Sequence, residues 1–143
     1  MGVGRVQTRM SVRLKLRIAR DALDAVVAHA REAAPAECCG LLLGSPASIV
    51  EAARTRNIAE DPASRFLIDP KDHIDGRREA RRRSLEVVGF YHSHPRSPAE
   101  PSARDRAEAS YPDDLYLIVS LLAEPPEIRV FRNFIPVAFV TIR

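Results

Sequence analysis

Leu85-Glu86-Val87-Val88-Gly89-Phe90-Tyr91-His92-Ser93-His94-Pro95 is the stretch that decides how the rest of the chain is read. Leu85–Tyr91 is an apolar run of strand length, which predicts a buried strand ending directly at His92. Residues two apart on an extended chain point the same way, so His92 and His94 can aim at one point. Pro95 disfavours helix and helps keep that extended geometry. A proline-rich loop from Pro95 to Pro101 leads into a short predicted helix, Ser102 to about Ser110, whose first turn can bring Asp105 back toward the histidines. Two imidazoles and one carboxylate leave a fourth tetrahedral position for water, the pattern of catalytic rather than structural zinc. Zinc lowers the pKa of bound water from about 15.7 to about 7, making hydroxide available at neutral pH.

Each half of this pattern also has a plainer reading. An HxH pair fits satisfied or exposed histidines. Ser102-x-x-Asp105 fits a helix capping box. The capping and ligand roles compete for one carboxylate, so only the neighbourhood of Asp105 decides between them.

Working outward, Leu14–Ile18 alternates apolar with basic residues, as a half-exposed strand does. Asp21 and Asp24 open a helical stretch with Leu23, Val26, Val27 and Ala30 on one face, ended by Pro35. Cys38–Gly44 reads as a buried strand, Gly44–Ser48 as a turn and Ile49–Arg56 as the return strand. Asp69-Pro70 has the form of an N-cap followed by proline at the first helical position. The polar helix after it, through Arg83, is weakened by Gly76. Leu115–Leu122 is a strongly apolar strand, and Glu127–Ile135 with Val137–Ile142 form an expected closing pair around Pro136. Strands interspersed with three helices predict an α/β fold with a mixed sheet, whose strand order the pattern leaves open.

Composition bounds the rest. The 143 residues suit one domain, with hydrophobic residues at 45% and charged residues at 29%, ordinary for a soluble protein. We read residues 1–13 as a flexible N-terminal extension, with Met10 a possible natural start, and residues 14–143 as a single domain. No apolar run approaches the ~20 residues of a membrane span. The net charge of +3 comes mostly from scattered arginines, which gives little reason to expect nucleic-acid binding. Arg77, Arg78 and Arg81–Arg83 read as a solvated helix face. His29 and His73 read as solvent-facing. Cys38 and Cys39 are neighbours that seldom pair, so we read them as small buried strand residues in a reducing, cytoplasmic setting.

His92-Ser93-His94-Pro95, six residues of loop, then Ser102-x-x-Asp105 resembles the signature of the JAMM (MPN+) zinc metalloproteases. Glu37-Cys38-Cys39-Gly40-Leu41-Leu42-Leu43-Gly44 is similar to the segment carrying that family's catalytic glutamate. The likeness continues through Asn57, Arg65–Pro70 and Val87–Tyr91, covering most of residues 14–143. The short form most resembles bacterial members acting on ubiquitin-like sulfur-carrier proteins.

The resemblance implies a three-layer α/β/α, cytidine-deaminase-like fold with Zn2+ held by His92, His94 and Asp105. It implies Glu37 as the catalytic base that takes a proton from the attacking water and passes it to the leaving amine. Ser102 would donate to the developing oxyanion, and Ser93 should face away, with no chemistry. The expected activity is hydrolysis of an amide at the C-terminus of a ubiquitin-like or sulfur-carrier protein, releasing cysteine or another amino acid. Its extended tail would add to a sheet edge beside the zinc. A non-catalytic MPN-type protein-interaction scaffold is the alternative. A DNA-repair-associated relative is a third, but this chain lacks an added helical DNA-binding domain. Neither a nucleic-acid nor a membrane partner is expected, and the oligomeric state is left open.

Overall fold

The computed structural model describes residues 15–143. The extension expected at residues 1–13 lies outside the described residues. Strand β1 (Leu16–Ala19) runs directly into helix α1 (Arg20–Ala33). Strands β2 (Cys39–Ser45) and β3 (Ser48–Thr55) form a hairpin, and helix α2 (Pro70–Arg82) follows. Strand β4 (Glu86–His94), the short helix α3 (Ala103–Glu108) and strand β5 (Leu115–Ser120) build the centre of the domain. Strands β6 (Glu127–Arg132), β7 (Ile135–Val137) and β8 (Phe139–Ile142) complete it.

The eight strands form one mixed sheet in the order β7-β6-β5-β4-β2-β3-β1-β8. Its two faces follow the strand alternation. Leu42 belongs to the core under α1, with Ile18, Val26, Tyr91 and Leu117. Leu41 and Leu43 belong to the opposite cluster under α2, with Ala80 and Phe90. Helices cover both faces, the expected α/β/α layering.

Helix α2 starts as read, with the Asp69 carboxylate accepting from Lys71 N at 2.9 Å and Pro70 in the first turn. Gly76 does not interrupt it. A Cβ there would strike the Leu41 side chain, so the glycine lets the helix lie close on the sheet.

Several boundaries differ from the sequence reading. Strand β4 does not end at His92 but continues through His94, because β2 pairs with it as far as His92 and β5 pairs with it as far as His94. Helix α3 stops at Glu108, two residues early, and β5 stops at Ser120, leaving Leu122 exposed.

The closing pair around Pro136 is not one unit. β7 pairs antiparallel with β6, whereas β8 crosses to the far edge and pairs in parallel with β1. The reason is burial at that edge. Leu16 and Ile18 are buried, so the backbone groups of β1 need a partner there. Only Ala138 separates β7 from β8, so the two ends of the strand order meet and the sheet must curl strongly.

Candidate metal centre

His92 and His94 project from the C-terminal end of β4, which is held on both sides by neighbouring strands. Both side chains are buried. The His92 ring stacks on Phe66 with centroids 4.4 Å apart and planes at 21°. His94 Nδ1 lies 2.7 Å from the Pro98 carbonyl, which can only accept, so Nδ1 carries a hydrogen and in the neutral ring Nε2 is the lone-pair nitrogen.

The two Nε2 atoms are 3.1 Å apart, and each lies 3.1 Å from Asp105 Oδ2. One ligand atom from each residue lies within 4.8 Å of the others, a group that could hold a metal ion. Electron-rich atoms at this spacing repel unless a positive charge sits among them. Without a metal, protonated imidazoles meet the same need, and Asp105 is held far below the ordinary carboxylate range: burial opposes the shift, but hydrogen bonds donated by His92 and His94 prevail. Burial lowers His92. For His94 burial also lowers, but the Asp105 and Pro98 hydrogen bonds outweigh it and raise the imidazole.

The capping box exists as well. Ser102 Oγ accepts from Asp105 N at 3.0 Å, and Asp105 Oδ2 accepts from Ser102 N at 2.9 Å. The expected competition for the carboxylate does not occur, because Oδ2 takes the capping bond and faces both imidazoles at once. Ser102, exposed at the helix start, keeps its hydroxyl hydrogen free to donate.

Glu37 precedes β2 and is buried, with Oε1 lacking any hydrogen-bond partner among the described residues. Burial pushes its carboxyl up to about 7, with His94 pulling down and Asp105 pushing up. Its backbone is pinned on both sides, since Glu37 N donates to Pro62 O at 2.7 Å and Asn57 Nδ2 donates to Glu37 O at 2.9 Å.

Other residues behave differently from their reading. His29 and His73 are half-buried rather than fully solvent-facing. His29 Nδ1 lies 2.7 Å from the Tyr91 hydroxyl, within hydrogen-bond distance, and His73 packs edge-on against Phe90 and Tyr111. Arg77 leaves the solvated face to lie over the Tyr111 ring. Cys38 and Cys39 are buried free thiols, and burial pushes them up to about 11 and about 12. Ser93 points away from the ligands, where its Oγ accepts from Cys38 N at 2.8 Å and ties β4 to the residue after Glu37. Phe66 and Asn57 were read only as part of a likeness. Their signal was an aromatic and an amide in a segment without periodicity. Strand β4 has β2 and β5 on either side.

Residues 19–134 match the family described as prokaryotic homologs of the JAB domain. The chain belongs to that family. It is similar to a desampylase from Haloferax volcanii, 43% identical over 112 residues, covering 74% of this chain and 81% of that protein. A CysO-cysteine peptidase from Mycobacterium tuberculosis is 34% identical over 104 residues, 72% of this chain and 71% of that protein. Among solved structures, protein DSY2949 from Desulfitobacterium hafniense superposes with a TM-score of 0.79 at 28% identity, covering 89% of this chain and 92% of that one. Membership of this JAB family, with such peptidase relatives, makes the chain a hydrolase by kind. No described helix is long and apolar enough to cross a membrane.

Proposed function

We propose that this JAB-family chain is a zinc-dependent peptidase or isopeptidase, cutting an amide bond at the C-terminus of a ubiquitin-like or sulfur-carrier protein. The observation that carries the metal assignment is the 3.1 Å triangle of His92 Nε2, His94 Nε2 and Asp105 Oδ2. Tetrahedral zinc with ligands at ~2.0–2.1 Å separates its donor atoms by roughly 3.3–3.4 Å, so these side chains need to move only a few tenths of an ångström to accept it. Bound by His92, His94 and Asp105, zinc would supply Lewis acidity and lower the pKa of water toward neutral.

The chain's own residues supply the remainder. Glu37, buried and raised to about 7, is placed in the range where one carboxyl can both take and give a proton. It would take the proton of the attacking water and hand it to the leaving amine. Ser102 would donate its free hydroxyl hydrogen to the developing oxyanion. The substrate class follows the relatives: desampylase and CysO-cysteine peptidase are named for small carrier conjugates. The released group would be cysteine or another amino acid, in the reducing cytoplasmic setting that suits two free thiols.

The test is cleavage of a ubiquitin-like carrier carrying an amide-linked group after its terminal glycine. We expect hydrolysis that a chelator stops and added zinc restores. A carrier that binds equally with and without metal and is never cut would establish the scaffold reading instead.

A further inference from the structure

The two histidines of the candidate centre are held in different ways. His94 is oriented by a hydrogen bond, its Nδ1 lying 2.7 Å from the Pro98 carbonyl. His92 has no such bond. Its Nδ1 is buried and finds no hydrogen-bond partner among the described residues. When Nε2 of a neutral imidazole serves as the ligand, Nδ1 must carry the ring hydrogen. Metal-binding histidines almost always donate that hydrogen to a carboxylate, a carbonyl or water, which fixes both tautomer and ring angle. At His92 another group has to fix the ring.

Phe66 stands in that place. Its ring lies on His92 at a centroid distance of 4.4 Å, with the planes 21° apart. The backbone on both sides of Phe66 is gripped by one side chain: Asn57 Nδ2 donates to Arg65 O at 3.1 Å, and Leu67 N donates to Asn57 Oδ1 at 2.9 Å. Arg65 also pairs with Glu108 at the end of α3, which ties the segment to the helix carrying Asp105. The face of a phenyl ring is its electron-rich part. An imidazole that gives density to a bound cation becomes electron-poor, so its attraction to that face grows when a metal binds. A stacked phenyl group therefore does what the missing acceptor does elsewhere: it sets the plane of the ring and favours its ligating state.

We infer that Phe66 is the positioning residue of His92, its stack replacing the hydrogen bond by which a metal-binding histidine is ordinarily aimed. The inference rests on the zinc reading above. Phe66 acts through His92 and takes no part in the chemistry. Without the stack, His92 keeps its place on β4 but its ring is free to turn about its side-chain torsions. The site then still takes one zinc at saturation and holds it less tightly.

The test compares the parent with Phe66→Leu, Phe66→Tyr and Leu67→Ala. Zinc affinity is measured by competition with a chromophoric chelator, and the ligand field by the visible spectrum of Co2+ bound in place of zinc. The Tm of each metal-free protein checks folding. Leucine keeps apolar bulk and removes the aromatic face, whereas tyrosine keeps the face. Leu67→Ala alters the exposed neighbour on the same segment and leaves its backbone bond to Asn57 in place. Phe66 is only half-buried, so Phe66→Leu should fold; Phe66→Met, which fills the space more flexibly, is read in the same way if it does not. We expect Phe66→Leu to bind one zinc per chain ~10–100-fold more weakly and to shift the Co2+ bands. Phe66→Tyr and Leu67→Ala should match the parent in both. A role confined to packing would lower the metal-free Tm of Phe66→Leu and leave affinity and spectrum unchanged, and that result overturns the inference. So does a loss in Phe66→Tyr or Leu67→Ala equal to that in Phe66→Leu. A parent protein that binds no zinc overturns the zinc reading itself, and the inference with it, whereas tight zinc binding by parent and Phe66→Leu alike overturns the inference alone.

Discussion

Asp105 does two jobs with one oxygen. Oδ2 accepts the capping hydrogen from Ser102 N and also faces both imidazoles, so the turn that starts α3 aims the carboxylate. The two-residue histidine spacing made convergence of His92 and His94 legible in the sequence, because alternation along a strand is a local rule. That His29 and His73 are half-buried was not legible, because their partners, Tyr91 and Phe90, lie far along the chain. Glu37 offers a test in the metal-free protein. Its folded value, about 7, lies above the ordinary 4.5, so its contribution to stability is fully present below pH 4.5 and is lost as pH rises through about 7. Glu37→Gln removes that loss. Urea unfolding of chelator-treated proteins should find little difference between variant and parent at pH 4, and the variant ahead by about 1–2 kcal/mol at pH 8. A difference that does not change with pH would contradict the burial argument.

The segment from Asn57 to Ile68 is the element the sequence conveyed least. It has no helical or strand period, and it is tied by backbone bonds such as Ile58 N to Leu67 O and Glu37 N to Pro62 O together with one side chain. Asn57 Nδ2 donates to the carbonyls of Glu37 and Arg65, and its Oδ1 accepts from the amides of Ala59 and Leu67. This brace joins the backbone of Glu37 to the loop that stacks Phe66 on His92. Strand β4 was legible in its apolar half, but its run through His94 depends on pairing with β5. Asn57→Ala strands several polar groups. We expect a stability loss of about 2 kcal/mol and at least a tenfold fall in turnover, with metal content kept because Asn57 touches no ligand. Denaturant midpoints, metal analysis and rates on one preparation check this. A rate loss fully explained by unfolded protein would remove Asn57 from any positioning role.

At the scale of the molecule, layering and a mixed sheet were legible from strands alternating with helices, whereas the order of those strands was not. Glu127–Ile135 and Val137–Ile142 read as one closing pair, yet β8 covers the far edge because β1 buries Leu16 and Ile18 there. Closing the sheet in this way leaves β4 in the interior and puts its C-terminal end, with both histidines, under the segment containing Phe66. The central claim is that this one place holds zinc through three side chains and works it with a fourth. The most direct test measures zinc stoichiometry and amide hydrolysis on the same preparations of the parent protein, Glu37→Gln and Asp105→Ala. The account predicts one zinc per chain in the parent, and zinc retained with hydrolysis down ~10²–10⁴-fold in Glu37→Gln. It predicts both lost in Asp105→Ala. Full zinc in Asp105→Ala, or near-normal turnover by Glu37→Gln, would contradict it.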